Sequence, residues 1–113
     1  MRIPARFAAA RRAGVRTGLV SNSWGEEGYD RTRFDELFDV LVISGEIGIR
    51  KPAPEIYALA TERLERAPER CVFVDDLPGN LKPAAALGMA TVLHRDAGAT
   101  IPRLETLLGV SLR

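Results

Sequence analysis

The sequence predicts an α/β fold, a Rossmann-like parallel sheet of about four strands with flanking helices. Three observations carry this reading. Short apolar runs recur at residues 16–20, 40–43, 71–74 and 90–93. The stretches between them place apolar residues at helical spacing, with proline or a hydroxyl at the start and glycine at the stop. The third run ends abruptly in two adjacent carboxylates, Asp75 and Asp76, followed by the turn-forming Pro78, Gly79 and Asn80. Ligand sites of parallel sheets lie beyond the carboxyl ends of the strands. Helix and strand in strict alternation argue for parallel strands joined by right-handed crossovers.

The elements follow in order. Phe7, Ala10 and Ala13/Gly14 recur at helical spacing, so the amino end reads as a surface helix with solvated arginines, stopped by Gly14. Its basic, acid-free start superficially suggests a transit peptide, the less favoured reading. After the first strand, Thr32 can cap a short helix carrying Phe34, Leu37 and Phe38. Pro52 and Pro54 open a longer helix with Ile56, Leu59/Ala60 and Leu64 on one face. A helix over 81–87 follows the acidic turn and stops at Gly88. Thr100 and Pro102 start the last one, with Leu104, Leu107 and Leu108 inward and Gly109 ending it.

Composition bounds what such a chain does. With 113 residues it makes one domain at most, 1–113, with a modest core. A content of 46% hydrophobic and 27% charged residues is that of a globular protein rather than a disordered one. The net charge of +1 gives no whole-chain reason to expect nucleic acid or a membrane surface as partner. No apolar stretch approaches the roughly 20 residues that span a bilayer. Cys71 is the single cysteine and excludes an internal disulfide. It reads as a small core residue in a reducing compartment, so a cytoplasmic location is expected. Fourteen arginines against two lysines look like a compositional bias.

Three polar clusters sit at or just beyond strand ends. Ser21 and Asn22 follow the first run and can donate hydrogen bonds to an anionic oxygen; singly, they are also ordinary turn residues. Lys51 stands before a proline-opened helix, near a helix N-terminus that favours anions, or else is a solvated surface charge. Asp75 and Asp76, with Asn80, need a compensating positive charge and suit Mg²⁺, whereas one acid would suffice as a helix cap. His94, the only histidine, follows a strand with no Cys or Ser partner in a suitable motif and reads as structural or solvent-facing.

Their combination and order are more specific than any member. Ser21-Asn22, Lys51-Pro52 and Asp75-Asp76-x-x-x-Asn80 resemble motifs II, III and IV of the haloacid dehalogenase-like (HAD) hydrolases. Phe38-Asp39, Ser44-Gly45-Glu46, Gly48, Lys51-Pro52-x-Pro54-Glu55-Ile56-Tyr57 and the run from Val72 to Leu81 are similar to one branch of them. That branch holds haloacid dehalogenases, small-phosphate phosphatases and the N-terminal phosphatase domain of soluble epoxide hydrolase. The resemblance runs from about residue 7 to 110.

It implies hydrolysis of a small phosphorylated or other small-molecule substrate through an aspartyl intermediate, with Mg²⁺ as cofactor. By motif, Ser21 would bind the phosphoryl oxygens with Asn22 beside it. Lys51 would neutralise the developing charge. Asp76 would be a direct metal ligand, Asp75 a direct or indirect one, and Asn80 would orient their loop at the phosphate. Ser21 and Lys51 are thus the implied catalytic residues. The family's motif I, Asp-x-Asp on the central strand, has no match in the 113 residues, and no acid precedes Ser21. The cap that usually follows it is missing too. The expectation is therefore a HAD core lacking its first, central strand: the C-terminal portion of a hydrolase, inactive alone. The alternative is a non-catalytic Mg²⁺- or phosphate-binding regulatory module. The strands ending at Ser21 and Asp75 would then face a gap or pair directly. Small residues at 8–10 and 84–86 are candidates for closing it, and self-association or complementation through the edges is expected.

Overall fold

A computed structural model describes residues 3–22 and 37–112. Helix α1 (Ile3–Arg12) leads into strand β1 (Gly18–Ser21). Strand β2 (Val40–Ile43) runs straight into the single-turn helix α2 (Ser44–Ile47), then helix α3 (Pro54–Leu64). A 3₁₀ turn (Pro68–Arg70) precedes β3 (Val72–Asp75), followed by α4 (Pro78–Leu87), β4 (Ala90–Leu93) and α5 (Ala97–Leu108). Thr32 and Phe34 of the expected short helix lie outside the described residues.

All strand pairing among the described residues is parallel, as the alternation requires. The strands form two ladders: β1 with β2, Ser21 opposite Ile43, and β3 with β4, Asp75 opposite Leu93. Among the described residues no ladder joins β1 to β3. The two pairs are instead held through a shared core. Val40 and Val42 from β2, Ile56, Tyr57 and Ala60 from α3, Phe73 from β3 and Ala84 from α4 form one buried cluster. Helix α3 packs on β1, β2 and α4, and so spans the two halves. Fully burying a side chain such as Ile56 contributes about 1.5–3 kcal/mol.

A second, smaller cluster brings Ala10 of α1 against Ile101 of α5 and Leu112. The small residues thus seat helices in two separate places, Ala10 on α5 and Ala84 in the main core.

Three local expectations need correction. The arginines of α1 are not simply solvated: Arg6 Nη1 donates to the Leu112 carbonyl at 2.8 Å, and Arg11 pairs with Asp39 at 3.1 Å. They tie α1 to the carboxyl end of the chain and to the residue that precedes β2. The last helix begins at Ala97 rather than Thr100, because Asp96 caps it by accepting from Ala99 N–H at 2.9 Å. Pro102 lies inside that helix. The helix expected over 81–87 opens at Pro78, where a proline loses no helical hydrogen bond. The expected face of α3 holds, with Ile56 and Ala60 buried and Leu59 and Leu64 half-buried against the same core, and Tyr57 and Thr61 add to it.

Candidate functional site

The carboxyl ends of β1 and β3 carry the polar clusters, and hydrogen bonds connect them. Ser21 closes β1 and is half-buried; Asn22 follows it, exposed. The Asn22 side chain reaches the main chain of Lys51. Its Oδ1 accepts from Lys51 N–H at 2.8 Å, and its Nδ2 donates to the Lys51 carbonyl at 3.0 Å. An amide satisfies a peptide at both ends in this way. Asn22 therefore holds the lysine in place, with one amide hydrogen left over for an anion.

Lys51 extends from that anchor to β3. Its Nζ donates to Asp75 Oδ2 at 2.6 Å, the two side chains being 12% and 6% exposed. The ammonium also lies 5.8 Å from the centre of the Phe73 ring, a cation–π position. Asp75 is further held by Leu77 N–H on Oδ1 at 3.0 Å and by Asn80 Nδ2 on Oδ2 at 3.3 Å. Two consecutive strand residues point to opposite faces. Asp75, in phase with buried Phe73, is turned into the protein, and Asp76 just beyond the strand is exposed.

Asn80 is buried and supports Asp75 from within the first turn of α4. Its own carbonyl accepts a 2.6 Å hydrogen bond from the Tyr57 hydroxyl. Tyr57 is 1% exposed and packs edge-on against Phe73 at 5.1 Å between centroids. Sequence reasoning gave Tyr57 no role. The available signal was a large aromatic on the inner face of a helix directly after Lys51, whose hydroxyl needs a partner when buried. Burial first, and then the negative charge of Asp75, push its phenol upward, so it stays a donor at neutral pH.

The structure thus links Asn22, Lys51, Asp75 and Asn80 into one continuous network, with Ser21 and Asp76 as the chain neighbours of its members. His94 stands apart. Its ring Nδ1 is 2.7 Å from the buried Thr100 hydroxyl, and its N–H donates to the Asp75 carbonyl. That is the structural role expected of it. Burial pushes the Cys71 thiol upward, which keeps it an inert core residue.

Burial also pushes the Asp75 carboxyl upward, but the hydrogen bonds from Lys51 and Leu77 and the lysine charge outweigh it. The group is held below the ordinary aspartate value of 3.8. A depressed folded-state value means stability that is present above 3.8 and lost as the pH falls through the folded value. The stability gap between the native chain and Asp75→Asn should therefore narrow as the pH drops below 3.8. Urea midpoints measured down to pH 2.5 check this; a constant gap would mean that Asp75 is not ionised in the fold.

The donor set fits a hard divalent cation. Magnesium is commonly held by one or two carboxylates, with water and phosphate oxygens completing the shell. Asp76 offers exposed carboxylate oxygens, whereas Asp75 has three of its acceptor positions occupied by Lys51, Asn80 and Leu77. No group of three or more His, Cys, Asp or Glu side chains suited to a metal occurs among the described residues. A cation here would rest directly on Asp76, with Asp75 beside it.

Comparison with known proteins follows the same outline. Residues 3–88 match the family model for haloacid dehalogenase-like hydrolases. The rat bifunctional epoxide hydrolase 2 is 35% identical over 109 residues, covering 90% of this chain and 20% of that enzyme. The chain thus spans about a fifth of the length of this relative. An uncharacterised protein of Corynebacterium glutamicum superposes with a TM-score of 0.85 at 27% identity, over 94% of this chain and 80% of the other. A wild-type HAD family enzyme of Bacteroides thetaiotaomicron, in complex with magnesium and inorganic phosphate, superposes with a TM-score of 0.66 at 26% identity. That match covers 80% of this chain and 50% of the enzyme. No helix among the described residues is long and apolar enough to cross a membrane.

Proposed function

Because this chain belongs to the haloacid dehalogenase-like hydrolase family, we propose that it forms the C-terminal portion of a Mg²⁺-dependent phosphate-ester hydrolase site. The observation that carries the proposal is the Lys51–Asp75 pair, anchored to the end of β1 through Asn22 and adjoining exposed Asp76. Ser21 and the remaining Asn22 amide hydrogen offer donors to phosphoryl oxygens. Lys51 sets a fixed positive charge where negative charge builds on the transferred group. Asn80 and Tyr57 keep the acidic loop in position, so little reorganisation accompanies the reaction. Magnesium bound at Asp76 would supply further positive charge and orient the phosphate.

The attacking carboxylate has to come from elsewhere. None of the six aspartates in the 113 residues stands in an Asp-x-Asp pair. The chain by itself is therefore expected to lack aspartate-mediated phosphatase activity. Among the described residues no ladder covers the outer edges of β1 and β3, and there a strand bearing the nucleophile would add, in the cytoplasm as the sequence suggests.

Co-expression with a peptide carrying an apolar strand that ends in Asp-x-Asp tests this, read with an aryl phosphate and Mg²⁺. Hydrolysis should appear only in the mixture, and Lys51→Met should abolish it. Activity of the isolated chain, or no association and no recovery, would sink the proposal.

One observation favours a second reading, a non-catalytic Mg²⁺- or phosphate-binding module. The whole network from Asn22 to Asn80 is assembled from this chain's own residues. Calorimetry separates the two: binding of phosphate or Mg²⁺ that is lost in Asp76→Ala, with no activity on complementation, would support the module.

A further inference from the structure

The carboxyl-end site leaves unexplained a concave surface at the opposite end of β1. A cleft of about 450 Å³ there is lined by Arg11, Arg12, Arg16 and Asp39 together with Val15 and Gly14. Among the described residues, three guanidinium groups line it with one carboxylate. That carboxylate is already engaged: Asp39 Oδ1 pairs with Arg11 at 3.1 Å, and Oδ2 accepts the Thr17 N–H at 2.7 Å. Arg16 is pinned by Nε to the Leu64 carbonyl at 2.7 Å, a neutral partner that fixes the side chain without cancelling its charge. Arg12, exposed in the last turn of α1, makes no ion pair among the described residues.

Charge of one sign in a concavity concentrates the field. Guanidinium forks match the oxygens of phosphate in spacing and plane. The volume lies within the range typical of small-molecule sites, roughly 300–1,000 Å³. The whole chain carries a net charge of only +1, which gives no whole-chain reason to expect a polynucleotide.

We infer that this cleft is a second anion site, taking a small polyphosphate of two or three phosphoryl groups, with Arg12 and Arg16 as its ligands. It is independent of the hydrolase reading. β1 separates it from Ser21 by the length of a four-residue strand, about 10–13 Å.

The test is a titration of the isotope-labelled full chain with inorganic tripolyphosphate at low ionic strength, followed by amide NMR. Saturable shifts at Gly14 and Val15 are expected. They should weaken at least tenfold in Arg12→Gln/Arg16→Gln, fade with added salt, and persist in Lys51→Met. If the double variant fails to fold, Arg12→Gln alone, at an exposed position, should still weaken binding several-fold. Shifts confined to Ser21, Asn22 and Leu77 and lost in Lys51→Met would overturn the inference, as would no saturable binding. Citrate binding as tightly as tripolyphosphate would overturn the phosphate assignment. A single-stranded oligonucleotide binding more tightly per phosphate would overturn the small-ligand one.

Discussion

Asp75→Ala should lower the free energy of unfolding by about 3–5 kcal/mol, because it strands the Lys51 ammonium in a nearly closed environment. The two groups are 2.6 Å apart, and neither side chain exceeds 12% exposure. The substitution also leaves the Leu77 N–H and the Asn80 amide without their acceptor. An ion pair on the surface would behave differently, contributing at most about 1 kcal/mol. Replacing both partners, Lys51→Met with Asp75→Asn, should recover more than half of the loss, since no unpaired charge then remains. Urea denaturation of the native chain, Asp75→Ala and the double variant measures both the loss and its recovery. A cost below 1 kcal/mol for Asp75→Ala would show that Lys51 escapes to water, and the site would not be preorganised.

Phe73→Ala is expected to cost a similar amount, about 3–5 kcal/mol, through the cavity it opens. Phe73 is buried in the cluster that joins β2, α3, β3 and α4. Its ring is both the edge-on partner of Tyr57 and the surface beneath the Lys51 ammonium. The cavity therefore opens under the network itself. Phe73→Leu keeps most of the volume and should lose less than half as much stability. Thermal melts rank the variants, and a methyl- or amide-resolved spectrum shows whether Asn80 and Leu77 shift. Equal losses in the two variants would mean that ring contacts, rather than volume, hold this part of the core.

Much of this architecture was legible in the chain because it is written locally. An apolar run that halts at Asp75-Asp76 announces a buried strand and the polar edge beyond it, and Gly88 and Gly109 stop their helices with positive φ of 113° and 70°. The same local logic misplaced the start of the last helix. Pro102 looked like an opening residue, yet Asp96 supplies a side-chain cap six residues earlier, and the helix carries Pro102 in its interior without that N–H. What local patterns do not encode is which side chain spends its hydrogen bonds where. Asn22 looked like a phosphate donor, and only the fold reveals that most of its amide belongs to Lys51. Tyr57 escaped notice for the same reason: its partner, the Asn80 carbonyl, lies 23 residues away. Among the described residues the strands fall into two pairs with no ladder between β1 and β3, so of the two outcomes the sequence left open, a gap or direct pairing, direct pairing is not the one observed.

The grip of Asn22 on Lys51 copies, with a side chain, the pair of hydrogen bonds that neighbouring backbones exchange in a sheet. The lysine thereby travels with the first strand, and not with the loop that delivers it. Residues 48–50 are freed from any duty to aim the charge, and answer instead to the left-handed turn at Gly48 and to the packing of Ile49 on the core.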